Sequence, residues 1–396
     1  MPARQEATAR PSSGSTPRAP GAGMVEAKHI LHVFPSFGIG GVPLRMVRVV
    51  NHFAARSRHS IIALDRDFAA AENLAAKLDV SLLAIGQTQR GFPRALIDSA
   101  MTLRRLRPDL LVTYNWGAIE WAMANRLLPV ARQIHVEAGF SKEEADRQIR
   151  RRVLFRRWAL ARCAKVVVPS RKLENLARTV WKLPAGQIAL IPNGVDVDRF
   201  ADPARDTIPG FARNDGEVVV GTVAPLRPEK NVGRLLRAFA SLDRAQAARL
   251  VIAGDGIERP MLARLASELG IAERVVFTGR VAPEAVLGTF DVFALSSDTE
   301  QMPNALLEAM AASRAVAAVD VGDVKDIVSE ANREFVVPRD DGAAFAAVLQ
   351  RLLRDPARRV ALGRQNRQRT IDFYSQERMF TAYSSIFGLD VATPGC

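Results

Sequence analysis

A chain of 396 residues with 48% hydrophobic content can bury two cores rather than one, which excludes a fibrous or low-complexity protein. Its formal net charge is +13, and only eight of the 55 basic residues are lysine, so guanidinium groups dominate and favour an anionic partner such as a phosphate or an acidic lipid head. Cys163 and Cys396 cannot form a disulfide framework, and no run reaches the roughly 18 apolar residues of a membrane-spanning helix, so a reducing, cytoplasmic setting is expected with any membrane contact peripheral.

Residues 1–27 are rich in Pro, Ser, Ala, Gly and Arg without the apolar run of a secretion signal, and are expected to be a disordered tail. From His29 short β-branched runs alternate with amphipathic ones. The reading is a strand HILHVF, a helix from Val42 to Ala55, a strand HSIIAL, a helix from Ala69 to Leu78, a strand VSLLAI, and further strands near Leu110, Ile134, Val167 and Leu190. That alternation predicts a parallel sheet covered by helices over residues 28–200. The stretch 201–216 is polar, contains proline and lacks periodicity, which marks a linker. Alternation restarts with EVVVGTV, a helix from Val232 to Leu242, ARLVIAG, a helix from Pro260 to Leu269, RVVFTG, DVFALS, a helix from Asn304 to Ala312, and AVAAV. A second Rossmann-like domain over 217–375 is therefore expected, and the helical pattern Gln376 to Phe387 within the tail 376–396 is expected to return to the first. The fold class is α/β, with two parallel sheets facing a cleft where such sheets bind ligands.

Seven segments carry candidate chemistry. In SSDTEQMPNALLEAMAA, Glu300 precedes a helix opened by Pro303 and Asn304, and Glu308 lies one turn inside it. The free N–H groups and dipole at such a helix start suit a diphosphate, and a nearby carboxylate suits sugar hydroxyls, although a plain acidic helix start explains the same spacing. In GTVAPLRPEKN, Arg227 and Lys230 flank a helix start where they can neutralise a departing diphosphate. In AGDGIERP, Gly254 allows a tight turn, and in FTGRV, Gly279 lets Arg280 and the backbone around it face a base. In FGIGGVPLRM, Gly40 and Gly41 suit a phosphate or sugar loop, but Pro43 breaks the dinucleotide fingerprint, which leaves Asp65 as the only support for a nicotinamide oxidoreductase. His135 and Glu137 share one side of a strand and are expected to border the cleft as candidate catalytic residues. The triplets Asp65-Arg66-Asp67 and Asp196-Val197-Asp198 are too common to indicate a metal. Finally, Arg150, Arg151, Arg152, Arg156 and Arg157 accompany Val153, Leu154, Trp158 and Leu160 in a basic amphipathic helix suited to an anionic bilayer.

Together these segments resemble the nucleotide-sugar glycosyltransferases of the GT-B fold, specifically glycosyltransferase family 4, from about residue 29 to 385. The resemblance rests on Gly40-Gly41, Asn193-Gly194-Val195-Asp196, Arg227 to Asn231, Ala253 to Gly256, Phe277 to Gly279, and the Glu300/Glu308 pair with Leu-Leu-Glu-Ala-Met. It implies retaining transfer without a metal or other cofactor. Glu308 would hold the donor ribose, Glu300 the donor sugar, and Arg227 with Lys230 the diphosphate. Three departures stand out: Ala224-Pro225 replaces the usual Gly-Arg, Ala138 replaces the usual His before Gly139, and Pro43 stands where an acid is common. The partners implied are a nucleotide sugar and a glycan or lipid-linked acceptor of bacterial polysaccharide synthesis, with an anionic membrane surface through Arg150–Arg157 and no nucleic acid. A non-catalytic nucleotide-sugar-binding or scaffold protein of the same fold is the alternative.

Overall fold

A computed structural model describes residues 27–85, 91–139, 144, 148–203, 208 and 211–389. The expected tail therefore lies outside the described residues except for Ala27, as does Cys396. The first lobe holds β1 (Lys28–Phe34), α1 (Gly41–Phe53), β2 (Ser57–Ala63), β3 (Val80–Leu83), α2 (Phe92–Leu106), β4 (Leu110–Tyr114), α3 (Ile119–Leu127), β5 (Arg132–Val136), α4 (Arg150–Leu160), β6 (Lys165–Val168), α5 (Arg171–Thr179) and β7 (Ile188–Leu190). Its seven strands run in the order β3-β2-β1-β4-β5-β6-β7, and every neighbouring pair is parallel. The helix expected from Ala69 to Leu78 is instead a short 3-10 segment, Ala69–Asn73, followed by Lys77 with φ +68°. Three alanines at its start give no apolar stripe long enough to hold a full helix on the sheet.

The second lobe holds β8 (Val218–Val223), α6 (Val232–Ala240), β9 (Ala248–Ala253), α7 (Arg259–Glu268), β10 (Val275–Gly279), α8 (Pro283–Leu287), β11 (Val292–Leu295), α9 (Asn304–Ala311), β12 (Ala315–Asp320), α10 (Val324–Ile327), β13 (Val336–Pro338), α11 (Gly342–Arg354) and α12 (Pro356–Tyr374). Its sheet runs β10-β9-β8-β11-β12-β13, also parallel throughout. Strands such as VVVGTV are buried almost end to end, the pattern of a parallel sheet covered on both faces. The stretch 201–216 contributes Ile208 and Phe211 to this second core, so part of the expected linker packs on the second lobe.

The chain then returns. In α13 (Gln376–Phe387), Met379, Phe380, Tyr383 and Phe387 join the core of the first lobe. The outgoing and returning segments touch, because Val195 N–H donates to Tyr374 O and Gln376 N–H donates to Val195 O, both at 2.9 Å. Gly194 is needed at this crossing, since a Cβ there would stand 2.7 Å from Gln376 Cα.

Candidate active site

Two helix starts from opposite lobes converge on a pocket of about 310 Å3. Gly41 and Val42 open α1 on one side, while Pro303, Asn304 and Ala305 open α9 on the other. Neither helix start has a side-chain cap or an acidic residue in its first turn, so both present free N–H groups and positive dipole. A Cβ on Gly41 would lie 3.5 Å from Asn304 Nδ2, which shows how closely the lobes meet here. Between them stand Lys230 and Glu300, ion-paired at 2.5 Å, with Ser297 Oγ donating to the same Glu300 oxygen at 2.8 Å. The Glu300 loop is fixed from below: Asn231 Nδ2 and Arg234 Nη2 both donate to Asp298, and Asp298 N–H donates to Glu229 O.

The sequence reading missed two residues of this wall. Arg45 on α1 is 2% exposed and lines the pocket; its Nη1 donates to Asn193 Oδ1 at 2.5 Å, while Nε and Nη2 are buried without a hydrogen-bond partner. Asn193 in turn donates to Asn304 Oδ1 at 2.8 Å and to Met302 O at 3.0 Å. An Arg45–Asn193–Asn304 relay therefore ties α1 to the start of α9 across the cleft. The signal was present, because Arg45, Val49 and Phe53 follow a four-residue helical spacing on the buried face, where a charge needs a reason.

Several expected residues do not line the pocket. Arg227 is exposed and caps the 3-10 turn Pro228–Lys230 with its backbone, so Arg45 is the arginine of this wall among the described residues. Gly254 has φ +141°, its N–H donates to Gly279 O at 2.8 Å, and a Cβ on it would stand 1.9 Å from Ala224 O. Its freedom serves the packing of one loop on another rather than the approach of a ligand, and Gly279 is its partner in that turn. Arg280 is exposed, and Gly40 is the residue before α1, one position outside the wall. Glu308 lies one turn deeper on α9, where burial raises its carboxyl pKa against the opposing pull of Arg48 and then Arg199.

His135 and Glu137 require a correction. Both are fully buried; His135 Nδ1 meets Thr113 Oγ1 at 2.8 Å, and Glu137 pairs with Arg156 at 3.3 Å. Arg156 also binds Glu144 at 3.0 Å and lies between the rings of Trp116 and Trp181, 5.0 and 5.3 Å from their centroids. The reach of Arg156 turns this strand end inward, and the cleft is lined instead by the next residue, Ala138. The same geometry corrects the expected basic face of α4. Arg156 is inside the lobe, Arg152 pairs with Glu144, and Arg157 donates to Val180 O, which leaves Arg150 and Arg151 exposed beside Leu154 and Trp158.

Two Rossmann-like lobes that meet at a cation-lined pocket between two helix starts have the architecture of the GT-B fold. The sequence matches the family described as Glycosyltransferase Family 4 over residues 39–199 and Glycosyl transferases group 1 over residues 205–369. It is 30% identical over 322 residues to the GDP-mannose-dependent alpha-mannosyltransferase of Mycobacterium tuberculosis (strain CDC 1551 / Oshkosh), covering 76% of this chain and 80% of that protein. It is 26% identical over 303 residues to the 2-deoxystreptamine glucosyltransferase of Streptomyces kanamyceticus, covering 72% and 78%. Among solved structures, Anabaena HepE in complex with UDP superposes with a TM-score of 0.77 at 17% identity, over 91% of this chain and 100% of that one. Sucrose-phosphate synthase from Thermosynechococcus elongatus gives 0.75 at 20% identity, over 92% and 100%. The chain belongs to glycosyltransferase family 4.

Proposed function

We propose that this glycosyltransferase moves a sugar from a nucleoside diphosphate donor to a glycan or lipid-linked acceptor of bacterial polysaccharide synthesis, with retention of configuration and without a metal. The observation that carries the reading is the Lys230–Glu300 pair held between the uncapped starts of α1 and α9. A donor diphosphate placed against both helix starts would compete with Glu300 for Lys230 and turn the Glu300 carboxylate toward the sugar. As the sugar–phosphate bond breaks, charge grows on the diphosphate, and Lys230 with the two sets of N–H groups would stabilise it. The Arg45–Asn193–Asn304 relay would keep the two helix starts in register during that step.

The test separates the two glutamates. Glu300→Gln is expected to lower kcat by roughly a hundredfold or more while leaving free nucleoside diphosphate affinity nearly intact. Glu308→Gln is expected to weaken donor and free nucleoside diphosphate alike. Product anomer by NMR, and activity with and without a chelator, read retention and metal dependence. Full activity in both variants would sink the site assignment, and donor binding without turnover under all acceptors tried would favour a non-catalytic binding protein.

A peripheral membrane contact completes the proposal. Leu154 and Trp158 on α4 are 63% and 37% exposed, on the helix that carries the exposed Arg150 and Arg151. Apolar side chains beside two exposed guanidinium groups suit an anionic bilayer. Vesicles containing an anionic lipid should bind the protein less as salt rises, and Leu154→Ser with Trp158→Ser should abolish sedimentation with them. Unchanged binding would reassign this face.

A further inference from the structure

Behind the wall made by Asn193 and Met302, a second cavity of about 480 Å3 opens at the lobe junction, larger than the front pocket. Four arginines line it from three parts of the chain: Arg171 at the start of α5, Arg333 and Arg369 from the second lobe, and Arg378 on α13. Two carboxylates face them, so four guanidinium groups against Asp323 and Asp326 leave two positive charges. Asp323 is already engaged, because it accepts the backbone N–H groups of Arg171 and Lys172. Arg171 and Arg378 are exposed on the rim and form no ion pair among the described residues, and Arg333 Nε is buried without a hydrogen-bond partner. One wall is apolar: Ile191 and Ala382 adjoin Phe373, which is 53% exposed and carries the Arg369 guanidinium 5.1 Å from its ring centroid.

We propose that this rear cavity binds a small organic phosphate, a phosphate monoester whose dianion the arginines hold and whose carbon skeleton lies on the Phe373 wall. Two unbalanced positive charges match a phosphate dianion, and planar guanidinium donors match its oxygens. The front pocket carries less surplus charge, since Lys230 there is matched by Glu300 and Arg45 alone is left over. Because Arg171 belongs to the first lobe and Arg333 to the second, one ligand would bridge both. It would also touch Asn193 and Met302, which line both cavities, so occupancy at the rear should change donor affinity at the front by the same factor as the donor changes it.

The test is calorimetric titration of the full chain with glycerol 3-phosphate and, separately, with inorganic phosphate. One equivalent of glycerol 3-phosphate should bind, more tightly than inorganic phosphate. Affinity should fall roughly tenfold or more in the Arg171→Gln, Arg378→Gln double variant, whose exposed side chains hold nothing together, and should survive in Lys230→Gln. No saturable binding, binding unchanged in the double variant, or binding lost in Lys230→Gln would overturn the proposal. Inorganic phosphate binding as tightly as the ester would overturn the organic part of it. None of these readings depends on donor binding, so failure of the transferase reading would leave them intact.

Discussion

The two lobes share one topology but are built differently inside. The second is almost purely aliphatic: its strands bury Val, Leu, Ile, Ala and Phe, and its main interior polar device is the pair Asn332 and Asn366, which bond each other and the backbone of Val316, Arg314 and Ser329. The first lobe carries polar chains through its core. Ser57 Oγ meets His59 at 2.8 Å, His59 meets His32 at 3.0 Å, and His32 meets Tyr114 Oη at 2.8 Å, all buried. The same lobe also buries the Glu137–Arg156–Glu144 cluster between two tryptophans. All five histidines of the chain, His29, His32, His52, His59 and His135, belong to the first lobe. An aliphatic core tolerates exchange of one apolar residue for another, whereas a polar one fails when a single partner is removed.

The largest expected effect is therefore in the first lobe. Arg156→Leu strands Glu137 as a buried carboxylate and leaves Glu144 to Arg152 alone, and should cost about 3–5 kcal/mol, read as lost hydrogen-exchange protection in the first lobe with the second unaffected. Equal loss in both lobes would contradict their independence.

Acid comes next. Burial, and then the charge of His29, lowers the His59 pKa from 6.5 to about 4. An unfolded chain thus binds a proton that the folded one refuses, so stability is fully present above pH 6.5 and is lost as pH falls toward 4. The loss amounts to about 3 kcal/mol for this group. His32 has its pKa lowered by burial too, adding in the same direction. Denaturant melts across that range should show the first lobe weakening first, and His59→Gln should flatten the slope.

Asn366→Ala, the matching insult to the second lobe, should cost about 1–3 kcal/mol by removing the acceptor of Ser329 N–H and the donor to Asn332. Arg358→Gln, which removes an exposed ion pair with Glu334, should change the melting free energy by less than about 1 kcal/mol. A larger change would mean that surface pairs matter here beyond their usual weight.

The same contrast explains what the sequence made legible. Runs such as VVVGTV and ARLVIA announce covered parallel strands because their residues say the same thing as their environment. The Lys230, Glu300, Asn304 and Gly41 cluster was also foreseen, since helix starts after strands and charged loops leave a local pattern. Arg45 and Asn193 were not, because each owes its role to a contact across the cleft. His135 and Glu137 were misplaced because strand alternation gives the side on which a residue points but not the arginine that waits there. Gly254 illustrates a third case: a glycine advertises close approach without saying whether the neighbour is a ligand or another loop.

The crossing of the two lobes has a mechanical consequence. The chain passes between lobes twice, and the two passages are stitched side by side where Val195 exchanges hydrogen bonds with Tyr374 and Gln376. Two strands fixed at one point act as a single axle rather than as two separate tethers. Sliding one lobe past the other would shear both bonds, whereas turning about the axle leaves them whole. Turning about this crossing is therefore the relative movement of the lobes that these two bonds resist least, and Asn193, two residues from Val195, lies next to it.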